Sequence, residues 1–545
     1  MKPTKPSKKL TNNHIKLIKK YIQIVRETGM YPGRAELSAK GYNRDKLRHY
    51  FSNLDKLQEA AETWAAENDP FAFDNVIDET LFTNKNYKLL QENVKKYKRF
   101  VITTAVVGAP VHEGFLDSIH TYCKTKDAML LVLPAADPAS AGNWNLDMNL
   151  GRESIVFNDL SLNSNLFLCS IKLNAKQIDP TTGLDRIGQR NGSFIYASPK
   201  QRLKFMPVSN IKHPHAEMTT GAVTLPRYFD ISRAGRAYMS ERSAYIANYD
   251  HVVGAIIVEI VDKNRYHFRQ IQADVNGGFV DLGDFYQGDK VSKMYAEAFS
   301  LGDWHSGETD PTAKKAWKEV VNLVKPKKLF IHDGFNGRSI NPHEENNQIK
   351  RAVLADSGFL NLKSEIKEFA SDLDELSNWP NIEKVIIVKS NHDVFLERWL
   401  DAGRYVSDAN NYKTGVNLAA AMVNGENPLK SAVESAGLKN KSKIQWLEMD
   451  EDYFIARIQM GAHGHKGPKG SRGSLRGMER AYGQSVTGHS HGPEILRGAW
   501  QNGTSSFLKL SYNSGPSDWV HSSTIVYPNG MRQLINSFEG QWRLE

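Results

Sequence analysis

Residues 486–494 read VTGHSHGPE: a β-branched pair, a glycine, then His489 and His491 separated by one residue. On a loop leaving a strand, side chains two apart can aim at two different points, so the segment is either an ordinary polar turn or part of a metal site. The rest of the chain decides between them. Four other β-like runs also end in Asp, Asn or His. YAEAFSLGDWHSGETD (295–310) ends in Asp303 and His305, KKLFIHDGFNGRS (327–339) in Asp333, EKVIIVKSNHDVF (383–395) in Asn391, His392 and Asp393, and YFIARIQMGAHGHKG (453–467) in His463 and His465. Five strand ends carrying hard oxygen and imidazole donors point to one edge of a sheet structure holding metal.

The donor set is specific. Carboxylate, amide oxygen and imidazole without thiolate suit manganese, magnesium, iron or a catalytic zinc rather than a structural zinc. Only two cysteines occur, Cys123 and Cys169, which excludes a disulfide framework and a thiolate cluster and makes a reducing, cytoplasmic compartment the expectation. More ligands are present than one open catalytic ion needs. A pair of ions sharing a carboxylate clamps a phosphate ester and lowers the pKa of its water, so the expected reaction is phosphoester hydrolysis.

The blocks Asp-x-His, Asp, Asn-His-Asp, His and Gly-His-x-His, in this order, closely resemble the calcineurin-like metallophosphoesterase superfamily, including the chemistry of its SbcD-type nucleases, over residues 295–545. The resemblance implies an α/β fold with a four-layer α/β/β/α sandwich over that span. It also implies that Asp303, His305 and His491 hold one divalent ion, that Asn391, His463 and His489 hold a second, and that Asp333 bridges them. Manganese is the first expectation for both ions, with Mg2+, Fe2+ or Zn2+ open. His392 would be the general acid facing the leaving group, and Asp393 would orient it or an arginine. His465 is the alternative to His463. His332 and Ser390 stand where the family usually has glycine; His332 is read as a plain loop residue ahead of a supporting one.

The remaining chain is organised around this block. Residues 1–67 read as a helical head: Ile15, Ile18, Ile22 and Val25 recur at helical spacing before Gly29, a short helix at 34–40 ends at Gly41, Asn43 can cap the next, and Asp55 opens a third. This spacing resembles the helix-turn-helix head of TetR-like regulators and would place Arg44, Lys46, Arg48 and His49 toward DNA; a small helical docking domain with a basic face is the alternative. Residues 68–97 read as a linker and 98–294 as a middle α/β region whose topology the sequence leaves open. VVGAPVHEG (106–114) lacks the Lys-Ser/Thr of a phosphate loop, so nucleotide binding is not expected there.

The substrate is read from charge. Across 545 residues, 70 Lys and Arg face 61 Asp and Glu, a net charge of +9 that suits a polyanion only weakly by itself. The Gly-rich run after His465 concentrates Lys466, Lys469, Arg472, Arg476 and Arg480 between two ligand blocks, where a flexible loop can meet successive phosphates or be merely solvated. Arg338 adds a cation after Asp333. DNA is therefore the expected partner and metal-dependent DNase activity the expected function; a phosphatase or nucleotidase acting on monoesters and an inactive DNA-binding scaffold are the alternatives. The three-part layout resembles host-DNA-degrading DNases of T-five-type phages, which implies action in the host cytoplasm. No apolar run approaches the roughly 20 residues of a membrane helix, the basic start lacks the apolar segment of a secretory signal, and homo-oligomerisation stays open.

Overall fold

The computed structural model describes residues 10–28, 32, 37, 38, 40–42, 44–70, 72, 73, 87–135, 146, 147, 149–151, 154–171, 173, 177–187, 192–209, 213–228, 241–344, 346–510 and 513–544. It is a mixed α/β structure. In the six-stranded sheet the order is Ile444–Trp446, Lys384–Ile387, Lys328–Ile331, Ala298–Ser300, His521–Val526 and Arg532–Ser537. The first four strands are parallel and the last two are an antiparallel hairpin at the edge.

The inner strands Ala298–Ser300, Lys328–Ile331 and Lys384–Ile387 are mostly apolar on both faces, and their two-residue period sorts the side chains between two cores. Phe299, Leu329, Ile331, Val385 and Ile387 enter a cluster with helices Pro311–Val324, Leu362–Ser377, Asp393–Asp401 and Pro428–Ser435. Ala298, Phe330 and Ile386 point the other way, into a cluster shared with a ten-stranded sheet. Helices therefore cover one face and a second sheet covers the other. The helix starts are written locally: Asp310 caps Thr312, Asn361 caps Ser364 and Asn427 caps Lys430.

The middle region extends this arrangement. Ile495 and Leu496 pair antiparallel with Leu203 and Arg202, so one ten-stranded sheet runs from residues 454–501 into strands between 160 and 220. Strands Arg99–Val106, Ala128–Ala135, Gly254–Ile260 and Tyr266–Gln272 form a further sheet, which packs against the Arg532–Ser537 edge and shares the same core through Phe100, Leu131, Ile256 and Phe268. Helix Glu113–Lys126 covers its outer face.

A buried ionic knot ties these parts together. Arg269 bonds Asp281 at 2.5 Å and Glu259 at 3.1 Å, Gln533 donates to Asp281 at 3.0 Å, and the Leu544 amide donates to Glu259 at 3.0 Å. Burial raises the Glu259 pKa, but the Arg269 guanidinium outweighs it and holds the carboxyl at about 2, below its ordinary 4.5. Glu259 thus contributes stability that is present above pH 4.5 and is lost as pH falls through about 2. Arg269→Met should cost about 3–5 kcal/mol at neutral pH by stranding two buried carboxylates. Urea unfolding should show that penalty shrinking as Glu259 protonates.

The head has its own core, with Ile18, Tyr21, Ile22, Val25, Leu47, Phe51 and Leu57 buried together. Its helices are Asn12–Thr28, Arg44–Phe51 and Leu54–Asn68. The third helix is opened by Asn53, whose side chain accepts from the Lys56 amide, rather than by Asp55. Gly29, most of 34–40 and Asn43 lie outside the described residues, so the first helix of the expected pair is not described. Within the expected linker, Tyr87–Val94 is a helix with Leu90 and Val94 buried, while 74–86 lie outside the described residues. No helix among the described residues is long and apolar enough to cross a membrane.

Candidate metal centre

The parallel strands of both sheets deliver their carboxyl ends to one edge, the place where α/β sheets commonly bind ligands. Asp303 and His305 follow Ala298–Ser300, Asp333 follows Lys328–Ile331, and Asn391 follows Lys384–Ile387. His463 follows Ile458–Gln459, and His489 and His491 follow Ser485–Thr487. Backbone pairing registers the loops: the Trp304, His305 and Ser306 amides donate to the His332, Asp333 and Gly334 carbonyls, and the Gly488 amide donates to His463.

All seven residues converge. Asp303, His305, Asp333 and His491 form one group of donors that could hold a metal ion, and Asp333, His463 and His489 form another; the donor atoms of each group lie within 4.8 Å of one another. Asp333 belongs to both. In the first group His491 Nε2 lies 3.1 Å from Asp303 Oδ2 and 3.0 Å from His305 Nε2. In the second, His463 Nε2 lies 3.3 Å from Asp333 Oδ2, and Asn391 Oδ1 lies 3.1 Å from His463 Nε2 and 3.0 Å from His489 Nδ1.

Three observations fit this cluster to a cation. Asp303 Oδ1 and Asp333 Oδ1 are buried and have no hydrogen-bond partner among the described residues, which is costly for a carboxylate unless positive charge satisfies it. His305, Asp333, His489 and His491 all have positive φ, of 49°, 44°, 83° and 62°, a strained conformation for these residues that concentrates at functional sites. The electrostatics are those of a buried anionic cluster. Burial alone would raise Asp303 and Asp333, yet the imidazoles around them hold both carboxyls below their ordinary value. Burial lowers His463, but Asp333 overcomes it and lifts the imidazole to about 9. Burial pushes His305, farther from the carboxylates, down to about 3.

Gly488 shows how tightly the loops approach. A Cβ there would sit 2.2 Å from Asp303 Oδ1 and 3.0 Å from His332 Cβ. Gly488→Ala should displace the Asp303 carboxylate and lower metal affinity by about 10–100-fold, as disturbing ligand-orienting contacts commonly does; calorimetric titration with Mn2+ measures it.

The neighbours revise several expectations. His332 is fully buried and stacks on His463, with ring centroids 5.6 Å apart, so it supports the centre instead of being a plain loop residue. Ser390, at the position where the resemblance implies a glycine, closes the turn: its amide donates to Asp393 and its hydroxyl accepts from the Asp393 amide. Among the described residues the Asp393 carboxylate accepts from Ser390 through Oδ2 and bonds neither His392 nor an arginine, its Oδ1 is buried without a partner, and burial raises the carboxyl to about 7. His392 is oriented by the Asn336 carbonyl, which accepts from Nδ1 at 2.5 Å. The sequence carries no signal for that contact because a backbone atom makes it. His465 stands beside His463 and His489 and outside both donor groups, with neither ring nitrogen partnered among the described residues.

Beside the cluster lies a cleft of about 470 Å3, lined by Asp333, Asn391, His392, His489 and His491 together with His343, Lys350 and Trp519. Trp519 packs edge-on against His491 with centroids 4.0 Å apart and escaped sequence reasoning.

The cations divide. Lys466, Lys469, Arg472, Arg476 and Arg480 are exposed, and none forms an ion pair among the described residues. Their segment is ordered rather than loose: Lys466 bridges to Arg472, and Leu475 and Met478 anchor the helix Leu475–Tyr482. Gly473 has no room for a side chain, since its Cβ would lie 1.7 Å from the Gly464 carbonyl. Arg338, by contrast, is held by Glu308 at 3.1 Å and lies over Phe359, so internal contacts already occupy it. In the head, Lys46, Arg48 and His49 are exposed on Arg44–Phe51, and the Arg44 side chain lies outside the described residues.

No family model and no solved structure matches the chain. Over 475 residues it is 26% identical to "Protein A1" of Escherichia phage T5, a similarity that spans 83% of this chain and 84% of that protein.

Proposed function

We propose that the chain is a metallophosphoesterase-type deoxyribonuclease that hydrolyses DNA phosphodiester bonds with two divalent ions, Mn2+ foremost. The observation that carries this reading is the sharing of Asp333 by two donor groups at one sheet edge. When bound, such an ion pair neutralises phosphoryl oxygens and acidifies a water at neutral pH. The chain supplies the rest. Asp303, His305 and His491 with Asp333 would hold one ion, and Asn391, His463 and His489 with Asp333 the other. His392 lines that cleft, and its Nδ1–H is committed to Asn336, so Nε2 is the atom left to hand a proton to the leaving oxygen, which it does from the imidazolium form, returning to the neutral Nδ1–H ring.

Exposed Lys466, Lys469, Arg472 and Arg476 beside the centre support a polyanionic substrate, and Arg44, Lys46 and Arg48 of the head would add phosphate contacts. Similarity to a phage protein supports a phage role; the role proposed with this chemistry is degradation of host DNA in the host cytoplasm. The test is incubation with plasmid and linear duplex DNA plus Mn2+, run beside a chromogenic phosphodiester and a phosphomonoester. Cleavage of DNA and diester is expected. Intact DNA with metal demonstrably bound, or turnover confined to the monoester, would overturn the DNase reading.

A further inference from the structure

A second cavity, about 1010 Å3, lies at the opposite edge of the sandwich from the metal centre. Its floor is made by the starting ends of two parallel strands: Gly483 and Gln484 precede Ser485–Thr487, whose far end leads to His489 and His491, and Gly498 precedes its neighbour Ala499–Gln501. Tyr249 and Val275, both strongly exposed, wall it from the middle region.

The unusual member of its lining is Arg532, 3% exposed. Nη1 donates to the Ser485 and Gly498 carbonyls at 3.2 and 2.7 Å, and the guanidinium lies 4.5 Å from the centroid of the Trp500 ring. Those contacts explain a polar strut but not a full charge. Nε is buried without a partner, and no carboxylate pairs with the group among the described residues. A buried cation is ordinarily paired. The acids around the cavity are already committed: Asp250 to Lys200 at 3.0 Å, Glu479 to Arg497 at 2.5 Å, and Asp274 to the Asn276 and Gly278 amides. Exposed Arg480 adds a second unmatched cation at the rim.

We infer that this cavity is an anion site in which Arg532 and Arg480 take a nucleotide phosphate, free or carried on a strand. Planar guanidinium donors suit a phosphate, and the apolar and aromatic wall suits a base beside it. The helix Leu475–Tyr482, which carries Arg476 and Arg480, leads from the segment after His465 to Gly483 at this cavity, so a strand engaged at the metals would have charged groups to follow. The assignment does not depend on the metal reading.

Binding of inorganic phosphate, dTMP and a short single-stranded oligothymidylate is measured by calorimetry on the full chain in EDTA, which takes the metal centre out of play. Wild type and Asp333→Asn should bind alike, and Arg532→Gln about tenfold or more weaker, the worth of a charged hydrogen bond. Equal binding of dTMP and the oligonucleotide marks a free nucleotide as sufficient; binding of the oligonucleotide alone marks the strand. Should Arg532→Gln fail to fold, amide exchange on wild type serves, with slowing expected at 497–498 and 530–533 under saturating probe. Failure of every probe to bind, unchanged affinity in a folded Arg532→Gln, or no protection at those amides would overturn the proposal.

Discussion

Asp333→Asn should bring hydrolysis to background and remove metal from both halves of the centre. Asparagine keeps the volume and one oxygen, so the substitution tests charge rather than packing. Asp333 is 1% exposed, belongs to both donor groups, and sits 3.3 Å from His463 and 3.9 Å from His305. Without its charge each group keeps only neutral imidazoles, an amide oxygen or the single carboxylate of Asp303, too little to hold two dications close together. Metal content by elemental analysis after dialysis and turnover at saturating Mn2+ are the readouts. Retention of two ions with near-normal turnover would remove the shared-carboxylate reading.

His392→Asn should separate chemistry from binding. The imidazole lines the cleft and is steered by Asn336, yet it belongs to neither donor group, so metal affinity should be unchanged. Turnover on DNA should fall about 10²–10⁴-fold, the usual worth of a positioned general acid. The loss should shrink on a diester whose leaving group is a good one, such as p-nitrophenolate, because that departure needs no proton. An equal loss on both substrates would assign His392 to positioning instead.

The helices that build the core follow local rules, with caps at Asp310, Asn361 and Asn427. The seven donors announced themselves because each follows a short apolar run, and a strand end is a local event. Asn336 did not, since it acts through its carbonyl; nor did His332, whose role depends on burial against His463 from a strand of the other sheet. Arg338 read as a free cation because sequence does not show that Glu308 folds back onto it. The topology of the middle region was equally hidden: the pairing of Leu203 with Ile495 joins residues nearly three hundred positions apart, and no periodicity encodes a partner at that distance.

By itself the sequence determined which groups are available, carboxylate, amide and imidazole at strand ends with no thiolate, and hence the class of ion they suit, because donor chemistry belongs to the side chain. Only the tertiary structure decided that Asp333 belongs to two donor groups, that Arg338 is committed while the cations after His465 stay exposed, and that Arg532 is buried without a carboxylate among the described residues. The physical reason is common to all three: proximity and desolvation are properties of packed elements, and they convert the same residues into ligands, struts or binding groups.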